Sequence, residues 1–134
     1  MSQENVKLAR RTVDLVNRQE LDRALEATHD DIVWDWSNSI GPLSGVYRGR
    51  QQVRQLFSSF LEAWREVRWE TLEIIDVDET RVILVNRVRM RGRGSGVEVA
   101  ATGVQLWTIT EGKGKSVKLY QSKEEALEAV GLSE

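Results

Sequence analysis

Cysteine is absent from the 134 residues, histidine occurs once (His29) and proline once (Pro42). Without thiols there are no disulfides, no thiolate nucleophile and no cysteine-ligated zinc. A single histidine excludes multi-histidine metal sites, and any histidine-based triad would have to use His29. No apolar run approaches the ~20 residues that a membrane helix needs. The opening MSQENVKLARR also lacks the apolar stretch of a signal peptide. Charge of one sign is missing too: 19 basic against 21 acidic residues leave a net charge of -2. Such a balance offers no global attraction to nucleic acid or to an anionic membrane. What is present is 40% hydrophobic and 30% charged residues, the make-up of a soluble globular chain that buries a core without staples. One domain, residues 1–134, is the expectation, and the cytoplasm is the simplest location.

Val6, Ala9, Val13 and Val16 recur at helical spacing, widened by Leu8 and Leu15, and predict a helix ending near Asn17. A short second helix follows around Glu20 to Ala27. The segment IVWDW alternates and reads as a strand, and SNSIGPLSG reads as a loop. In RQQVRQLFSSFLEAWREV, the residues Val53, Leu56, Phe57, Phe60, Leu61, Trp64 and Val67 predict one long amphipathic helix. The second half is rich in strand signals: RWETLEIIDV, with an ambiguous inward face, then RVILVNRVRMR, VEVAATGVQLWTIT and SVKLYQ. The turns DET, GRGSG and EGKGK separate them. A last helix begins at Ser122, with Glu125 at capping-box spacing, and stops at Gly131. Helices first and an antiparallel meander after them predict an α+β fold, with helices covering one face of a curved sheet.

Several stretches resemble chemical motifs and do not satisfy them. GKGKS ends like a phosphate loop, but Ile109 stands where the first glycine belongs, and the segment joins two strands. Arg87, Arg89, Arg91 and Arg93 share one strand face, which suits a solvated or interface surface paired with Glu70, Glu73 or Glu98. The near-neutral charge speaks against a nucleic-acid stripe. The opposite face carries Leu84, Asn86, Val88 and Met90, so Asn86 is a polar group on an apolar inward surface. His29, beside Asp30 and Asp31, reads as a helix terminus at the surface. Asp35 lies between Trp34 and Trp36, yet strand alternation puts the tryptophans on one face and the carboxylate on the other. The aromatic face is the one that burial selects, so Asp35 is expected away from any pocket.

Five segments together carry a resemblance: VNRQELDRALEATHDDIVWDW, GVYRGRQQVRQLF, RGRGSGVEV, LWTITEGK and YQSKEEALEAVGL. In this order they are similar to SnoaL-like proteins of the nuclear transport factor 2-like superfamily, over nearly the whole chain. The resemblance implies a cone-shaped, curved, mostly antiparallel sheet wrapped around the N-terminal helices, with an internal cavity. It implies a homodimer through the outer sheet face. It also implies that Thr12, Trp36, Gln105 and Leu119 face the cavity, with Trp34, Tyr47, Phe57, Phe60, Leu61 and Trp64 among its lining. Asn86, Val88, Trp107, Val117 and Gln121 complete that lining. The partner expected is a small hydrophobic or aromatic molecule, with no cofactor, no metal, no nucleic acid and no membrane.

Enzymes that share this fold carry acids that can be compared position by position. Ketosteroid isomerases use an aspartate base with a tyrosine and a protonated aspartate as oxyanion hole. The matching positions here are Trp36, Thr12 and Gln105. Limonene-epoxide hydrolases use an Asp-Arg-Asp set, whose last-strand aspartate matches Leu119. SnoaL-type polyketide cyclases use an aspartate late in the sheet, where SVKLYQ offers no acid. The catalytic residues are therefore left unassigned, and an enzyme would need Tyr47, Tyr120, Asp35 or His29 to reach the cavity.

Overall fold

The computed structural model describes residues 2–39 and 41–132. Helix α1 (Ser2–Asn17) and helix α2 (Leu21–Glu26) lead into strand β1 (Thr28–Asp35). A loop, the short strand β2 (Val46–Arg48) and helix α3 (Gly49–Ala63) follow. The chain then runs through β3 (Trp64–Asp76), β4 (Arg81–Gly92), β5 (Glu98–Thr110) and β6 (Lys113–Tyr120), and ends in α4 (Lys123–Ala129). The six strands form one curved, open sheet in the order β2-β1-β6-β5-β4-β3. All pairs are antiparallel except β1 with β6. The fold is α+β. No helix among the described residues is long and apolar enough to cross a membrane.

Alternation sorts the sheet residues into two faces. The inner face carries Ile32 and Trp34 on β1, Trp69 on β3, Val82, Leu84 and Val88 on β4, Trp107 on β5 and Val117 on β6. Against it pack Ala9, Val13 and Val16 of α1 and Val53, Leu56 and Phe57 of α3. This is the helical stripe expected from the spacing, and its burial drives the assembly. Trp34 is the hub: its ring meets Phe57 edge-on at 4.9 Å and Trp107 at 5.7 Å between centroids, favourable geometries for aromatic pairs.

Four features depart from the sequence expectations. First, α3 ends at Ala63, and Trp64 begins β3 in extended conformation (φ -123, ψ 148). Trp64 and Val67 fit the helical period, but pairing of Trp64 with Gly92 and Val67 with Met90 on β4 claims them for the sheet. Second, His29 lies within β1 rather than at a helix terminus. Its Nε2 meets the Thr110 carbonyl at 2.8 Å and the Thr110 hydroxyl at 3.0 Å, beside the turn that joins β5 to β6. Third, β2 forms because Val46, Tyr47 and Arg48 pair with Asp35, Trp34 and Val33. Fourth, α4 covers the outer face instead of joining the other helices. Ala126 and Leu127 bury Ile83, Val104 and Tyr120 there.

The termini of α4 follow the sequence signals. Ser122 accepts a bond from the Glu125 backbone N–H at 3.2 Å. At the other end Gly131 takes φ 79. Its N–H donates to Glu128 and that of Leu132 to Leu127, the paired bonds of a Schellman stop.

Candidate functional site

Between the inner face of the sheet, the C-terminal end of α3 and the loop after β1 lies a cavity of about 430 Å³. Its aromatic wall is built from three elements. Trp36 follows β1, Phe60 comes from the last turn of α3, and Trp64 and Trp69 come from β3. Trp36 and Phe60 meet nearly at right angles with centroids 5.4 Å apart, and Phe60 meets Trp69 at 5.7 Å. Aliphatic groups fill the sheet side: Val88 and Met90 on β4, Ala101 and Gly103 on β5, and Leu119 on β6. Gly103 leaves room there, since a Cβ on it would stand 3.3 Å from Val88 Cγ2 and 3.9 Å from Leu119 Cδ1.

Polar groups are few. Gln105 is buried in the wall, and its Oε1 accepts from Trp107 Nε1 at 3.0 Å. Ser39 and Gln121 stand at the rim with Gly41, Pro42 and Leu43. The rim is tied to the sheet by Asn38, whose Nδ2 donates to the Leu119 carbonyl at 3.1 Å. In return, Gln121 Nε2 donates to the Asn38 carbonyl at 2.5 Å. Among the described residues, no aspartate, glutamate, histidine, lysine, arginine or tyrosine lines it. Nor do three His, Asp or Glu side chains cluster as metal ligands among the described residues.

Seven of the residues expected at the cavity surround it: Trp36, Phe60, Trp64, Val88, Gln105, Leu119 and Gln121. Thr12, Trp34 and Trp107 lie deeper, at the closed end, around a void of only about 10 Å³. Thr12 is 3% exposed and its hydroxyl donates back to the Leu8 carbonyl at 2.8 Å. Tyr47 is half-buried on β2, with its hydroxyl donating to the Leu43 carbonyl at 2.7 Å, so it braces the rim from behind. Asn86 points inward as the alternation requires and is fully buried, but its Oδ1 accepts from Thr71 Oγ1 at 2.8 Å, away from the cavity. Of the further positions implied by the resemblance, Phe57 and Val117 belong to the closed core, and Leu61 packs against it.

Trp69, Met90, Gly103, Pro42 and Leu43 line the cavity without having been singled out. Met90 shares the inward alternation of Val88, so its signal was present. That of Trp69 is hidden by a register shift between Thr71 and Glu73. The shift leaves Leu72 55% exposed and breaks the alternation of RWETLEIIDV.

Asp35 stands apart from the cavity, paired with Val46 and Lys118 across the strands. Burial alone would push its carboxyl up. Hydrogen bonds from the side chain and backbone N–H of Ser37, with Lys118 and Arg48 nearby, outweigh this and hold it below the usual value. A carboxyl of that kind stays ionised at neutral pH and is a poor proton acceptor. On the outer face, Arg89 pairs with Glu70 at 2.7 Å and Arg91 with Glu66 at 3.9 Å. Two arginines of the stripe thus pair with acids across the strands, while Arg93 Nε donates to the Glu62 carbonyl at 2.6 Å.

An open, curved α+β sheet cupping an internal cavity defines a nuclear transport factor 2-like fold. More narrowly, the chain belongs to the SnoaL-like domain family, whose family model matches residues 9–117. Solved structures of the same shape include an NTF2-like protein of unknown function from Burkholderia pseudomallei K96243. It is 18% identical, with 95% of this chain and 97% of that one covered at a TM-score of 0.77. Another is a candidate polyketide cyclase from Xanthomonas campestris pv. campestris, with 20% identity, 96% and 97% coverage and a TM-score of 0.77. TerC, crystallised with polyporic acid, is 16% identical over 96% of this chain and 98% of its own, with a TM-score of 0.76. At these identities the likeness is one of fold. No curated protein matches the sequence.

Proposed function

We propose that this SnoaL-like protein binds a small, uncharged, largely aromatic molecule in the cavity, held by Trp36, Phe60, Trp64 and Trp69. The observation that carries the reading is a cavity of about 430 Å³ with an aromatic wall and, among the described residues, no ionisable side chain in its lining. That volume suits a small organic ligand, and its burial against aromatic rings supplies affinity. An ionised ligand would lose its hydration and meet no counter-charge, so the site selects neutral molecules. General acid–base turnover needs a titratable group within reach of the substrate. The lining offers amides, hydroxyls and indole N–H groups instead, which favours binding over proton transfer. TerC, co-crystallised with polyporic acid, is a protein of the same fold.

Titration with neutral aromatic compounds, followed by quenching of tryptophan fluorescence, tests this. Saturable quenching that is lost in Trp36→Ala with Phe60→Ala is the expected result. Absence of binding across the series, with the cavity filled by its own side chains in a crystal structure, overturns it.

We also propose a homodimer contact on the outer face of β4 and β5, where the small residue Ala100 is exposed beside the Arg89–Glu70 pair. Sedimentation showing only monomer at micromolar concentration removes this assignment.

A further inference from the structure

Gln105 and Trp107 stand two residues apart on the same face of β5, and both are buried, at 6% and 1% exposure. An indole Nε1–H donates and cannot accept. The 3.0 Å bond from Trp107 Nε1 to Gln105 Oε1 therefore fixes which way the amide points. Turning the amide over would set NH₂ against N–H, two buried donors with no acceptor between them. With the oxygen held by Trp107, the Gln105 Nε2 group has no hydrogen-bond partner among the described residues. It is not sealed off like the unpartnered Trp34 Nε1 and Asn86 Nδ2, and the residue lines the cavity.

Resting on the ligand-binding reading above, we propose that Trp107 locks Gln105 as a hydrogen-bond donor. The site thereby selects a neutral aromatic ligand bearing a carbonyl-type acceptor over the same skeleton bearing an N–H donor. A buried site built to pair with one kind of group rejects its opposite, because the mismatch leaves polar groups unpaired. Gln105 contacts the ligand. Trp107 acts through it as a positioning residue. An amide does not titrate, so this preference is independent of pH over the range in which the fold is stable.

Three planar tricyclic probes of one shape test this on the full chain by equilibrium dialysis: 9-fluorenone (carbonyl), carbazole (N–H) and fluorene (neither). The wild-type protein is expected to bind fluorenone about tenfold tighter than fluorene, and carbazole no tighter than fluorene. In Gln105→Leu, fluorenone falls to the affinity of fluorene, while fluorene itself changes by less than about threefold. In Trp107→Phe the amide is free to turn, and the preference for fluorenone over carbazole shrinks below about threefold. Retained fluorene binding shows in each variant that the cavity is intact. Equal binding of all three probes by the wild type, or a preference that survives Gln105→Leu, overturns the donor assignment and leaves the cavity reading standing. Binding of none of the three overturns both.

Discussion

Asn17 and Trp69 are hydrogen-bonded twice. Asn17 Nδ2 donates to the Trp69 carbonyl at 2.9 Å, and the Trp69 N–H donates to Asn17 Oδ1 at 2.8 Å. The last residue of α1 thus supplies, from one side chain, the pairing that an edge strand otherwise lacks. The same bonds hold the tryptophan that forms part of the cavity wall. Asn17→Ala is expected to destabilise the protein by about 2 kcal/mol, since both backbone groups lose their partner in a part-buried place. Asn17→Asp keeps the acceptor but turns a carboxylate towards the carbonyl, and should be no better. Urea unfolding of the three proteins measures the difference, and a loss below ~0.5 kcal/mol in both variants would sink the idea.

Gly103 sets the size of the cavity on the sheet side. Its backbone is not in the left-handed region, so a side chain there is a question of space alone. In Gly103→Leu the new side chain meets Val88 and Leu119 and projects into the space a ligand would occupy. Three-ring ligands should bind at least about tenfold more weakly, while a single-ring compound such as acetophenone is affected far less. Parallel quenching titrations check this, and equal losses for both ligand sizes contradict it.

Asp78 closes the turn between β3 and β4. Its carboxylate takes hydrogen bonds from the Arg81 guanidinium at 2.9 and 2.7 Å and from the Thr80 N–H at 3.0 Å. Led by the Arg81 side chain, these bonds lower its pKa to about 2. A depressed folded-state value gives a stabilisation fully present above the unfolded value near ~4. It is lost as pH falls through about 2. Wild-type and Asp78→Ala proteins should therefore differ in Tm by a constant amount above pH ~5, and converge between pH ~4 and ~2. A gap in Tm that persists unchanged to pH ~2 would argue against this assignment.

The β5–β6 turn places Glu111 and Gly112 at φ 54 and 73, both in the left-handed region. Two such residues in a two-residue hairpin make a turn for which Asn-Gly is the favoured pair. Glutamate is strained at the first position. Glu111→Asn is expected to stabilise the protein by about 0.5 kcal/mol. A thermal melt at neutral pH decides it, and an unchanged or lower Tm counts against the strain argument.

How much of this was readable beforehand depends on what kind of question was asked. Periodicity identified the stripe of α1, the inward run Leu84–Asn86–Val88–Met90, and the shared face of Trp34 and Trp36, because burial imposes its period on the residues themselves. It separated Asp35 from the tryptophans for the same reason. Where two periods were both satisfied, it failed. Trp64 and Val67 continue the helical spacing of α3, and only the neighbouring strand β4 shows that they belong to the sheet. Where a bulge interrupts the count, as at Leu72, the face of Trp69 was lost.

From sequence alone came the kind of surface this protein would hide: aromatic, with amides and without a carboxylate at the compared positions. Tertiary structure decided depth. Thr12, Trp34, Trp36, Gln105 and Trp107 are all buried, yet only Trp36 and Gln105 border the large cavity. The rest lie where α1 and α3 close onto the sheet. Alternation specifies a side of the strand, and it carries no information about where a helix from elsewhere in the chain will stop covering that side. The same holds for the rotation of one amide. That Gln105 turns its oxygen to Trp107 and its nitrogen away follows from a contact that exists only once β5 is folded into the sheet.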